Sequence, residues 1–167
     1  MRQYANQRVA ILIDVQNLYH SAKHLYQGRV NYKELIKYLT DGRKLIRIIA
    51  YVVKSDVSLG EMQFFETLEK YGIELRIKEL QVYPDGTKKA DWDVGMAVDA
   101  IRISKFVDVV ILVTGDGDFM PLVDYLKWGQ GVIVEVGAFS KTASSKLQES
   151  ADKFINLESI PKIIIKK

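Results

Sequence analysis

Val109-Val110-Ile111-Leu112-Val113-Thr114-Gly115-Asp116-Gly117-Asp118 carries five consecutive aliphatic residues into a glycine-rich turn bearing two carboxylates. An unbroken apolar run of this length, closed by turn residues, is the pattern of a strand covered on both faces. Such strands belong to parallel sheets with helices on either side. Val9-Ala10-Ile11-Leu12-Ile13 has the same character and also ends on a carboxylate, Asp14, with Asn17 three residues on. Val132 to Val136 is a third run of this kind, and Leu45 to Val53 and Glu74 to Leu80 are two less apolar ones. Segments of helical period separate the runs: Leu18 to Tyr26, Tyr32 to Leu39, Leu59 to Tyr71, Trp92 to Ile103, Pro121 to Trp128 and Ser145 to Asp152. Strand alternating with helix predicts a three-layer α/β fold with a mostly parallel central sheet of about five strands. Ile163 to Ile165 in the tail reads as either an edge strand or an interaction segment.

The 167 residues fit one domain, 1–167, with 158–167 as a tail or edge strand. Lysine and arginine number 24 against 21 acidic residues, an excess too small to argue for nucleic acid unaided. Without cysteine there is no disulfide framework, thiolate nucleophile or zinc-cysteine site. No apolar stretch approaches the ~20 residues that span a bilayer, and the polar start lacks a signal segment. The expectation is a cytoplasmic protein with no membrane contact.

Open parallel sheets bind ligands beyond the C-terminal ends of their strands. If the Val9–Ile13 and Val109–Val113 runs are neighbours, Asp14, Asp116 and Asp118 meet in one small volume. Two carboxylates ~4 Å apart repel by about 4 kcal/mol at an effective dielectric near 20, so such a group must protonate, spread or bind a cation. Oxygen donors alone favour a hard ion, Mg²⁺ or Mn²⁺. The plainer reading makes Asp14 a helix cap and the glycine-aspartate segment an ordinary turn. Gly115 and Gly117 support a site by permitting positive φ and a close approach of a phosphate or metal to the backbone, although a plain turn would use glycine too. The helix from Trp92 to Ile103 is apolar nearly all round yet carries Asp93 and Asp99, with Asp91 just before it. Asp91 reads as a cap, Arg102 is the local partner for Asp99, and Asp93 is the better site candidate. His20 and His24 are four apart but lack the glutamate of a zinc-hydrolase helix and read as solvated.

These motifs resemble the NYN family, the PIN-like metal-dependent nucleases, and within it the bacterial LabA-like group. Ile13-Asp14-Val15-Gln16-Asn17-Leu18 is similar to the family's opening aspartate and asparagine. Asp93-Val94-Gly95-Met96-Ala97-Val98-Asp99 is similar to its central helix, and Thr114-Gly115-Asp116-Gly117-Asp118-Phe119 to its glycine-aspartate turn. Leu147, Ala151-Asp152 and Phe154 resemble the closing segment. Threonine opens the turn where serine is common, and Lys89-Ala90-Asp91-Trp92-Asp93 leaves the helix register open between Asp91 and Asp93, the spacing to Asp99 favouring Asp93. The resemblance implies a PIN-like α/β fold and a ribonuclease in which Mg²⁺ or Mn²⁺ is held by Asp14, Asp93, Asp116 and Asp118. Asn17 would position the first aspartate or the phosphate, with Asp99 and Thr114 behind the ligands. It also implies RNA, single-stranded in preference, as the partner, and leaves a homodimer open. Some relatives are mainly regulatory, so a nucleic-acid or protein binding module with a weak or inactive site is the alternative. Lys88 and Lys89 before the acidic helix, Lys54 after the second strand and Lys141 after the fifth are the phosphate-contact candidates.

Overall fold

The computed structural model describes residues 4–54 and 59–166. In chain order the elements are β1 (Arg8–Asp14), α1 (Val15–Tyr26), β2 (Arg29–Val30), α2 (Tyr32–Thr40), β3 (Lys44–Lys54), α3 (Leu59–Lys70), β4 (Glu74–Glu79) and β5 (Gln81–Val82). Then follow β6 (Lys88–Lys89), α4 (Asp93–Ile103), β7 (Val109–Val113), α5 (Met120–Asp124), β8 (Ile133–Ala138), α6 (Ser145–Ser150), β9 (Lys153–Asn156) and β10 (Ile164–Ile165). Six strands form the central sheet in the order β4-β3-β1-β7-β8-β9, and every neighbouring pair is parallel.

The pleat sorts the core into two layers. Val9, Ile11 and Ile13 of β1 and Val109, Ile111 and Val113 of β7 pack with Leu18 of α1, Leu35 and Leu39 of α2 and Leu68 of α3. Ala10, Leu12, Val110 and Leu112 face the other way, onto Met96, Ala100 and Ile103 of α4, Leu122 and Val123 of α5 and Leu147 of α6. Each wholly buried aliphatic side chain is worth about 1.5–3 kcal/mol over an exposed one, so covering both faces fixes β1 and β7 at the centre.

The sheet has six strands rather than about five. Phe154 and Ile155 pair with β8 as an edge strand, and α6 stops at Ser150, two residues short of the expected helix, to let the chain turn into it. A four-residue edge strand with a lysine and an asparagine at its ends is too short to show an apolar run. Ile164 and Ile165 form β10, a small antiparallel pair with β2 apart from the central sheet, Ile164 opposite Val30. The fifth helical segment is split: α5 is brief, and Tyr125 to Gly129 continue it as a wider π turn. Glu135 interrupts the otherwise apolar β8 and is buried against Arg43, whose guanidinium donates to both its oxygens at 2.8 and 3.0 Å. Among the described residues no helix is long and apolar enough to cross a membrane.

Candidate active site

β1 and β7 lie side by side with Ile13 opposite Val113, so Asp14 and Thr114 follow at the same level. The Thr114 hydroxyl donates to Asp14 Oδ2 at 2.9 Å and accepts the Asp116 N–H at 3.2 Å. Asp14 Oδ1 accepts the Asn17 N–H at 3.2 Å and so caps α1, which starts at Val15 rather than Leu18. The Asn17 side-chain oxygen crosses to accept the Gly115 N–H at 2.9 Å. Asp14 is thus a helix cap and part of an acidic site at once, and Asn17 ties the tip of β1 to the turn after β7.

That turn is tight for a reason the sequence did not reveal. Neither Gly115 nor Gly117 has positive φ among the described residues. A Cβ on Gly115 would lie 3.0 Å from Ala143 Cα, and one on Gly117 2.9 Å from Ser144 Oγ. The segment before α6 presses on the turn, its Ser144 N–H donating to the Gly115 carbonyl at 2.9 Å. Close packing, not backbone conformation, requires these two glycines.

Asp116 Oδ1 accepts the Asp118 N–H at 2.9 Å, which opens a short 3₁₀ turn and leaves the rest of the carboxylate available. Asp93, the first residue of α4, completes a group: Asp93, Asp116 and Asp118 each offer an oxygen within 4.8 Å of the others. Asp14 lies beyond that group yet is coupled to it through the charge of Asp116. Partial burial, then the charges of Asp116, Asp91, Asp14 and Asp118, push the Asp93 carboxyl up to about 6. Burial also raises Asp14, partly offset by the Asn17 N–H and the Thr114 hydroxyl. A partly buried set of oxygens in which neighbouring carboxylates raise the proton affinity of Asp93 fits a hard divalent cation, which would relieve the repulsion a proton otherwise relieves.

The α4 register is that of Asp93. Asp91 is exposed, and instead of capping from the cap position it accepts the Asp93 N–H from two residues back, at 3.2 Å. Trp92 stands between them as a lever whose indole N–H donates to the Val52 carbonyl at 2.9 Å and whose ring meets Tyr51 edge-on. Gly95 leaves room for that ring, since a Cβ there would come within 2.6 Å of it. Neither Trp92 nor Ser144 was singled out as a positioning residue; a large aromatic between two aspartates was the available signal.

Asp99 departs from the expected place behind the ligands. It accepts the Tyr51 hydroxyl at 2.7 Å and faces Arg76 at 3.5 Å, and among the described residues no hydrogen bond joins it to Asp14, Asp93, Asp116 or Asp118. Six residues along α4 place it about 120° round the helix from Asp93, and its partner is not the neighbouring Arg102. Lys54 ends β3 half-buried, and Lys141 approaches Glu158 at 3.9 Å. Lys88 and Lys89 form β6 opposite Val82 and Gln81, with side chains outside the described residues. His20 and His24 are exposed on α1.

A family model described as the NYN domain matches residues 8–158. The chain is 24% identical over 166 residues to low amplitude and bright protein LabA of Synechococcus elongatus, covering 95% of this chain and 88% of that one. It is 32% identical to a crystal structure of a protein of unknown function, VPA0982, from Vibrio parahaemolyticus, with a TM-score of 0.89 over 99% of this chain and 100% of the other.

Proposed function

The chain belongs to the NYN domain family, which carries a PIN-like nuclease fold, and from that premise we propose that it is a metal-dependent ribonuclease acting on single-stranded RNA in the cytoplasm. The observation that carries this reading is the convergence of Asp93, Asp116 and Asp118 within 4.8 Å at the C-terminal ends of the central strands, with Asp14 held beside them by Thr114. Bound Mg²⁺ or Mn²⁺ would polarise the scissile phosphate, activate a water and stabilise the leaving oxygen. Asp93, Asp116, Asp118 and Asp14 are the residues that would hold it. Asp93 must first give up the proton that its surroundings favour, which sets a lower pH limit on the site. Thr114 orients Asp14 and the Asp116 backbone together, and Asn17 fixes the turn, so the carboxylates are aimed before substrate arrives. Lys54, Lys88 and Lys89 are proposed phosphate contacts; Lys141 shares its charge with Glu158.

Purified protein incubated with labelled single-stranded RNA and DNA, with Mn²⁺ or with EDTA, beside Asp116→Asn, tests the proposal. RNA cleavage in Mn²⁺ that is lost in EDTA and falls at least ~10²-fold in the variant is the expected result. RNA bound but left intact by the wild type in Mn²⁺ would establish the binding module instead, and cleavage surviving in EDTA would remove the metal.

A further inference from the structure

The groove between α4 and the edge strand β4 carries more positive charge than any element on its own suggests. Glu74, Arg76 and Lys78 of β4 lie opposite Ile49, Tyr51 and Val53 of β3, all on the α4 side of the sheet. Below Tyr51 a cleft of about 370 Å³ is lined by Arg47, Arg76, Arg102, Asp99, Ile46 and Phe106. Higher up, Lys78 Nζ donates to the Asp91 carbonyl at 2.8 Å and lies 4.6 Å from the centre of the Trp92 ring, one residue from Asp93. Through Trp92 the groove reaches the N-terminus of α4, next in sequence to the acidic site. Arg102 lies nine residues further along α4 than Asp93, about 13.5 Å of rise and half a turn round the helix, so a strand reaches it by way of the Trp92–Asp99 flank.

The charges are unequally committed. Glu74 accepts from Arg47 at both oxygens, each at 2.8 Å, and that pair is internally neutral. Asp99 already accepts the Tyr51 hydroxyl, and its 3.5 Å contact with Arg76 is long for a charge-assisted bond. Arg102 has no hydrogen bond or carboxylate partner among the described residues and is exposed. Beside it Phe106 is 67% exposed, an open aromatic face at the end of a cationic groove. Guanidinium groups with spare donors next to an exposed ring are what a nucleotide requires: donors for the phosphate and a flat surface for the base.

We infer that the α4–β4 groove is a path for the backbone of an RNA strand leading away from the acidic site, with Arg76 and Arg102 holding a phosphate and Phe106 stacking a base at its far end. The inference rests on the nuclease reading for the identity of the polymer. A strand entering at Asp93 passes Lys78 first and reaches Arg102 only if it is several nucleotides long. A mononucleotide or dinucleotide seated at the acidic site does not reach it. The groove thus predicts selection by substrate length, a property that the carboxylates cannot supply.

The test is the salt dependence of RNA binding, read by fluorescence anisotropy in the Asp116→Asn background with Mn²⁺ present so that the strand stays whole. Arg102→Gln and Arg76→Gln should each lower the slope of log affinity against log salt by about 0.7, the value of one single-strand phosphate contact. Phe106→Ala should weaken binding by about tenfold without changing the slope. Thermal unfolding of Arg102→Gln should match its parent, since among the described residues that side chain makes no hydrogen bond or ion pair. In the cleavage-competent protein, Arg102→Gln should raise the KM for a long strand and leave a dinucleotide unaffected. Displacement of the long strand by inorganic phosphate or a nucleoside monophosphate, with equal loss in Arg102→Gln for both lengths, would show a small-molecule anion site and overturn the path. An unchanged slope with a change in sedimentation would show that a second copy of the chain covers the cleft, which also overturns it. If the wild type cleaves RNA while the slopes stay unchanged, the groove fails and the nuclease reading stands. If the slopes fall but the wild type cleaves nothing, the groove stands and the catalytic reading fails.

Discussion

Replacing Asp116 with asparagine separates an ion site from an ordinary acidic turn, because asparagine keeps one role of the side chain and removes the other. Asp116 Oδ1 accepts the Asp118 N–H, and an asparagine carbonyl accepts the same bond; the two residues cap about equally well. What disappears is a negative charge within 4.8 Å of oxygens on Asp93 and Asp118. At that separation each like-charge pair costs about 0.9 kcal/mol in a water-like dielectric and about 3.5 kcal/mol at an effective value of 20; the exposure of Asp118 and ordinary salt hold the real figure toward the lower end. The metal-free variant should therefore be more stable than wild type by ~1 kcal/mol, raising the unfolding temperature by about 2–4 °C. With free Mn²⁺ a hundredfold above its dissociation constant, wild type should gain about 2.7 kcal/mol and the variant much less. Scanning calorimetry of both proteins in EDTA and in Mn²⁺ gives the four unfolding temperatures needed, and their order should invert on adding metal. A variant destabilised in EDTA, together with a wild type indifferent to Mn²⁺, would mean that the carboxylates support a turn and nothing more.

Three further outcomes follow from the same geometry. The Asp93 carboxyl is pushed up to about 6, so the native state holds a proton there that the unfolded chain, with an ordinary carboxylate, has already released. Metal-free stability should accordingly fall as pH rises from about 4 to 6, whereas Mn²⁺ affinity and kcat/KM for RNA should rise through the same window; a flat Mn²⁺ affinity between pH 5 and 7 would remove Asp93 from the site. Thr114→Val removes the donor to Asp14 and the acceptor for the Asp116 N–H, and should cost ~10–100-fold in metal affinity by calorimetric titration, with Thr114→Ser restoring it; equal loss in both would show that the hydroxyl is not the cause. Glu135→Ala strands the buried Arg43 guanidinium and should destabilise the fold by about 3–5 kcal/mol in urea unfolding, and a cost under ~1 kcal/mol would mean that water reaches the pair.

The α/β class was legible because β1, β7 and β8 are apolar on both faces, and few folds bury both faces of a strand without parallel pairing. Asp14 and Asp116 could be found for a related reason: a carboxylate directly after such a strand stands at the ligand end of any open parallel sheet. The choice of Asp93 over Asp91 was visible only as a spacing. The helix start that decides it depends on Trp92 reaching back to the Val52 carbonyl, a contact between residues 40 apart in the chain. β9 escaped notice because a four-residue edge strand carries no periodic signal, and the burial of Glu135 because its partner, Arg43, lies 92 residues away.

Chain pattern by itself determined the five longer strands, which of their ends carry acid, and that those acids need a cation or a proton. It could not determine that Asp93, Asp116 and Asp118 converge while Asp14 is held beside them by Thr114, nor that Asp99 turns to Tyr51 and Arg76. Those outcomes depend on the angle at which α4 packs against the sheet and on β1 and β7 being neighbours in register. The groove of Arg76, Lys78 and Arg102 has the same origin, since β4 and α4 contribute its two walls and neither segment is strongly basic alone. Period and end signals are local and survive in the sequence, whereas the meeting of side chains from separate elements is fixed only when crossover connections and core packing set the order and rotation of those elements.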